Sequence, residues 1–108
     1  MRVVTAHPHQ AARVDDLAPD LASLQAAVQG YLELWAVDDH VRCLCNEEGR
    51  LNGMPFNRSV ILRDGTLWRI YGPIVIVGGN ADTGEFESLT PGEALFWQTL
   101  LNDGQELF

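Results

Sequence analysis

The chain of 108 residues is predicted to fold as α+β: a mostly antiparallel sheet with two short helices packed on it. Three observations carry that expectation. Tyr31, Glu33, Trp35 and Val37 alternate with Leu32, Leu34 and Ala36, the period-two pattern of a strand. Asp64-Gly65 separates Val60–Arg63 from Thr66–Arg69, a two-residue hairpin signal. Thr90-Pro91-Gly92-Glu93 opens a helix, with Thr90 as cap, Pro91 in the first position and Glu93 returning the capping bond.

The remaining elements follow in order. Arg2 to Ala6 reads as a strand, His7-Pro8-His9-Gln10 as a turn, and Ala12 to Asp15 as a strand pairing back. Asp20 caps a helix over Leu21 to Gln29, in which Leu17, Leu21, Leu24 and Val28 recur at helical spacing. Gly30 suits the left-handed position that ends it. Tyr31–Val37 and Val41–Cys45 form a hairpin around Asp38-Asp39, closed by the turn Asn46-Glu47-Glu48-Gly49. Leu51 to Ser59 has no regular period, is interrupted by Pro55, and reads as a loop with room for one helical turn. Ile61 and Trp68 become cross-strand neighbours in the hairpin that follows. Pro73 to Val77 is apolar throughout, as in a strand buried on both faces, and Gly78-Gly79-Asn80 ends it. Glu85–Glu87 reads as a short edge strand. Ala94, Phe96, Trp97, Leu100 and Leu101 give the last helix a broad apolar face, and Gly104 marks its end.

The length and the 46% hydrophobic content fit one domain over residues 1–108 with a single core. No apolar run approaches the roughly 18 residues of a membrane span, and Met1 to Pro8 lacks the apolar stretch of a signal peptide. The expectation is a soluble, cytoplasmic protein without a membrane partner. Cys43 and Cys45 fall on one strand face and lack a redox or zinc spacing, so they read as reduced core residues. His7, His9 and His40 have no carboxylate or cysteine at a recognised metal spacing. No metal or cofactor is expected.

The net charge is −8, and all seven basic residues are arginines. Arg42, Arg50, Arg58, Arg63 and Arg69 concentrate in the middle of the chain, while residues 80–108 contain no basic side chain. That sign disfavours nonspecific nucleic-acid binding but leaves a central stretch able to attract a small anion.

The segment from Cys45 to Arg58 is the densest in polar chemistry. Asn46, Asn52 and Asn57 offer donors and acceptors, and the guanidinium forks of Arg50 and Arg58 suit phosphate. The competing reading is loop self-bonding by the asparagines with the arginines in water. Glu47 and Glu48 read as the polar end of a hairpin rather than as an acid–base pair. Val77-Gly78-Gly79-Asn80 lacks the lysine and hydroxyl residue of a phosphate loop. Tyr31 and Trp35 can pack in the core or stack on a base, and Glu33 is an acid among apolar neighbours. The candidate ligand-binding residues are Asn46, Arg50, Asn57 and Arg58, followed by Glu33 and Tyr31; no catalytic residue is assigned.

A family resemblance runs through Leu24-Gln25, Gly30-Tyr31-Leu32-Glu33, Asn46-Glu47-Glu48-Gly49-Arg50-Leu51, Gly53-Met54-Pro55, Asn57-Arg58, Gly72, Val75-Ile76-Val77-Gly78 and Ser88-Leu89-Thr90. With these residues the chain resembles the domain of unknown function 3846 family, from about Val3 to Phe96. Gln29 stands where a second glycine is usual, Met54 replaces a more typical leucine, and the hairpin at Asp64-Gly65 is longer than in shorter members. The resemblance implies a fold and a setting in phages, plasmids and other mobile elements. It implies no activity.

Three functions are therefore weighed. The first is a non-enzymatic binder of a small anionic, nucleotide-like ligand with an anti-defence role. The second is an acidic protein–protein inhibitor that imitates DNA and occupies a host nuclease or DNA-binding protein, using Glu85, Glu87 and Glu93. The third is a small hydrolase, for which no nucleophile–base pair is recognisable. A homodimer through an exposed sheet edge is compatible with each.

Overall fold

The computed structural model describes residues 1–61 and 64–105. Its elements are β1 (Arg2–Ala6), β2 (Arg13–Asp16), α1 (Leu21–Val28), β3 (Leu32–Ala36), β4 (Val41–Asn46), β5 (Phe56–Ile61), β6 (Leu67–Tyr71), β7 (Ile74–Gly79), β8 (Phe86–Glu87) and α2 (Pro91–Gln105). The fold is α+β, and every strand pair among the described residues is antiparallel. The main sheet runs β2-β1-β7-β4-β3, and β8 pairs with the far end of β7. β5 and β6 form a separate two-stranded sheet.

β7 lies at the centre because both of its faces are apolar. Val75 and Val77 join Val3, Leu44, Leu24 and Val28 under α1. Ile74 and Ile76 join Val4, Cys43, Cys45, Val60, Ile70, Trp97 and Leu101 beneath α2 and the β5–β6 hairpin. The strict alternation of β3 holds: Glu33 and Trp35 stand opposite Cys45 and Cys43, on the face that the hairpin covers.

Both helices begin as the sequence predicts. Asp20 accepts from the Ser23 N–H at 2.8 Å, and Thr90 and Glu93 exchange reciprocal bonds at 2.8 and 3.1 Å. Their ends differ from expectation. The left-handed residue after α1 is Gln29 (φ 64°), and the following Gly30 N–H bonds the Gln25 carbonyl at 3.0 Å. α2 continues through Gly104 to Gln105. Among its described side chains it buries Ala94, Trp97 and Leu101 and leaves Phe96 and Leu100 exposed, so its apolar face is narrower than the composition implied.

Several strand boundaries and one register also move. β2 starts at Arg13, because the Ala12 backbone is taken by Asn102 of α2 through bonds of 2.6 and 3.2 Å. β5 starts at Phe56, inside the stretch expected to be loop. A bulge between Phe56 and Arg58 breaks the period there, which is why the sequence pattern hides the strand. The hairpin register places Val60 opposite Trp68 and Ile61 opposite Leu67, one position from the expected pairing. The expected strand end Leu62-Arg63 lies outside the described residues. Finally, β7 runs on through Gly78 and Gly79 to pair with β8. A Cβ on Gly78 would sit 2.8 Å from the His40 ring and 2.7 Å from the Glu87 carbonyl oxygen, so only glycine fits beneath them.

Candidate functional site

The β5–β6 hairpin crosses over β3 and β4 and leaves a cleft of about 400 Å³ beside it. Glu33 and Cys45 form the floor, from adjacent positions of the main sheet. One wall is the turn carrying Glu47, Gly49 and Arg50; the other is the whole of β6, Leu67 to Tyr71. Gly49 permits the walls to meet, since a Cβ there would collide with the Tyr71 carbonyl oxygen.

The floor is fixed by aromatic packing. The Trp35 and Trp68 rings pack at a tilt, with centroids 4.2 Å apart and planes at 46°. Trp35 Nε1 donates to Glu33 Oε1 at 3.1 Å, which holds the half-buried carboxylate in place. Burial pushes the Cys45 thiol up to about 12; the Glu33 charge adds to the rise and a bond with Trp68 opposes it. Burial also raises the Cys43 thiol, with Cys45 contributing. Both cysteines are reduced and stay protonated near neutrality.

On the walls, the Arg50 guanidinium lies 5.8 Å from the centroid of the Tyr71 ring. Tyr71 is braced edge-on by Phe56, with centroids 5.5 Å apart. Arg50 and Arg69 are exposed, and neither forms an ion pair among the described residues. Two cations and two carboxylates, Glu33 and Glu47, thus border one cleft without neutralising one another directly.

The six candidate residues separate into three groups. Glu33 and Arg50 both line the cleft. Tyr31 does not: it is 72% exposed and borders a shallow depression of about 320 Å³ with Gln25, Ala26 and Gln29 at the end of α1. Asn46, Asn57 and Arg58 are buried and bonded within the protein. Asn46 reaches the cleft wall, yet its Nδ2 donates to the Val28 and Gln29 carbonyls at 3.1 and 3.0 Å, and its Oδ1 accepts from the Glu48 N–H at 2.8 Å. Its amide fastens the open carbonyls of α1 to the turn. Asn57 Nδ2 bridges the Ala6 and Gly72 carbonyls, both at 2.8 Å. Arg58, 1% exposed, donates to the carbonyls of Leu101 (2.8 Å), Gln10 (2.6 Å) and His7 (3.4 Å) and to Asn57 Oδ1. Burial lowers its pKa.

Trp68, Arg69 and Tyr71 belong to the cleft and were not singled out for it from sequence. Their signal, Trp68-Arg69 on a strand, is present, but the folding of that hairpin over the main sheet is a long-range event. A second charged cluster lies elsewhere: His40 Nδ1 stands 2.8 Å from Glu93 Oε2, and Nε2 stands 3.8 Å from Glu87 Oε1. No group of three or more His, Cys, Asp or Glu among the described residues is arranged to hold a metal, and no helix is long and apolar enough to cross a membrane.

Fold and site together define a small antiparallel α+β domain with a polar cleft between its sheet and an overlying hairpin. The chain belongs to the family described as Domain of unknown function (DUF3846), whose model matches residues 1–102. No curated protein and no solved structure matches it.

Proposed function

We propose that the protein is a non-enzymatic binder of a small anionic, nucleotide-like ligand, held in the cleft between β3 and β6. One observation carries this reading. Arg50 and Arg69, free of ion pairs among the described residues, flank a cleft of about 400 Å³ that is also lined by Trp68 and Tyr71, in a chain whose net charge is −8. Guanidinium groups that no carboxylate pairs directly among the described residues attract phosphate even with Glu33 and Glu47 in the same cleft, and aromatic rings beside them supply apolar surface for a base. The volume falls within the range of small-molecule sites, roughly 300–1,000 Å³. Binding rather than catalysis is favoured because the one thiol in the cleft, Cys45, is 2% exposed and held protonated. The mobile-element setting implied by the family resemblance makes sequestration of a nucleotide-derived defence signal the role we assign.

The acidic-inhibitor reading draws less support. It needs Glu85, Glu87 and Glu93 as an open array, whereas Glu93 bonds Thr90 and His40, and Glu87 faces His40. A thermal-shift panel of nucleoside mono-, di- and triphosphates and cyclic nucleotides tests the proposal. A concentration-dependent rise in melting temperature is expected, reduced in Arg50→Ala and in Arg69→Ala. Flat melting curves across the whole panel would sink it.

A further inference from the structure

Resting on the reading of the cleft as a nucleotide site, we infer that Glu33 selects the base, and that the base it selects is guanine. Glu33 Oε1 already accepts the Trp35 indole N–H at 3.1 Å, so the carboxylate cannot swing freely. Oε2 receives no donor from the described residues. A half-buried carboxylate with one solvent-accessible oxygen that no protein donor occupies, and a spare lone pair on the other, is an acceptor site open to a ligand's donors.

The cations do not supply those donors. Arg50 extends from the turn over the Tyr71 ring and Arg69 projects from β6, and no ion pair joins either to Glu33 among the described residues. The cleft therefore divides into an acceptor floor and cationic walls. A ligand that satisfies both must carry an anionic group toward the walls and adjacent N–H donors toward the floor.

Among nucleobases, guanine alone presents two neighbouring donors on one edge, N1–H and the exocyclic N2–H. Adenine and cytosine set a ring-nitrogen acceptor beside their amino group, which a carboxylate repels. Uracil has one donor flanked by two carbonyl acceptors. A site that hydrogen-bonds particular donors disfavours analogues lacking them, because its half-buried acceptor then faces a ring acceptor or an apolar edge in place of a donor.

Quenching of tryptophan fluorescence reads the event directly, since Trp35 contacts Glu33 and Trp68 packs on Trp35. Wild type and Glu33→Gln are titrated with guanosine, adenosine and uridine 5′-monophosphates. Wild type is expected to bind the guanosine nucleotide at least about tenfold tighter than the others, as for charge-assisted bonds. Glu33→Gln is nearly isosteric and keeps an acceptor for the Trp35 indole; it should lose most of that preference and little affinity for the other two. Arg50→Ala should weaken all three nucleotides while keeping the preference. Equal affinities in wild type, or an unchanged preference in Glu33→Gln, overturn the role of Glu33 and leave the anion-binding cleft standing. Absence of binding by all three overturns the nucleotide reading and this inference with it.

Discussion

Trp35 and Trp68 pack ring against ring between β3 and β6, tilted at 46° with centroids 4.2 Å apart. That contact joins the overlying hairpin to the sheet at the cleft, so it links the stability of the domain to the shape of its site. Trp68→Ala removes that contact and leaves the Glu33 floor open on one side. An unfolding free energy lower by about 2–3 kcal/mol is expected from urea denaturation, below the loss for a fully buried tryptophan because Trp68 is half-exposed. Unchanged stability would mean that the hairpin is held mainly by β5.

Arg50 and Arg58 look alike in sequence and should behave oppositely. Arg58 is 1% exposed and bonds the carbonyls of Leu101, Gln10 and His7. Removing it takes this donor from the buried Leu101 carbonyl and Asn57 Oδ1 and from the part-buried carbonyls of Gln10 and His7. Arg58→Ala should cost about 3–5 kcal/mol, the range for breaking a buried polar network. Arg50→Ala, at an exposed position, should stay within about 0.5 kcal/mol of wild type. Chemical denaturation of both variants distinguishes a structural from a ligand-facing guanidinium.

The His40–Glu93 pair makes stability pH-dependent. The hydrogen bond to Glu93 raises His40 above its ordinary 6.5; burial opposes this, and the charges of Glu93 and Glu87 add to the rise. A raised histidine stabilises the fold fully below about pH 6.5, and the contribution is lost as pH climbs through the folded value. For Glu93, burial acts upward, but its bonds to Thr90 and His40 outweigh it and hold the carboxyl below 4.5. Its contribution is present above 4.5 and lost as pH falls through the folded value. His40→Gln should therefore lower the melting temperature more at pH 5.5 than at pH 9. An equal loss at both pH values would contradict a charged pair. Other charged groups around His40 include Asp38, whose Oδ1 accepts from the His40 N–H, its neighbour Asp39, Arg42, whose Nη1 donates to the Asp38 and Asp39 carbonyls, and Glu87 on β8.

Local chemistry was legible in the sequence where one element suffices to express it. Asp20 and the Thr90/Glu93 pair cap their helices, and the alternation of β3 puts Glu33 and Trp35 on one face. β5 was hidden because the bulge at Asn57 removes its period. Asn46, Asn57 and Arg58 are polar and lie near a turn, so they resembled ligand contacts. Their partners come from α1, β1, the 7–10 turn and α2, up to 51 positions away in the chain. Burial of such residues depends on which carbonyls tertiary folding brings to them, and no spacing rule records that. The same holds for Trp68 and Arg69, which reach the cleft only because the hairpin leaves the main sheet.

In the proposed site Arg50 and Arg69 act together on one anion. Isothermal titration calorimetry of wild type and of the Arg50→Ala/Arg69→Ala double variant, with a nucleoside monophosphate at two salt concentrations, measures that most directly. Saturable binding that weakens with salt in wild type, and falls at least about tenfold in the double variant, is the predicted result. Equal affinity in the two proteins, or no binding by wild type at millimolar nucleotide, would contradict it.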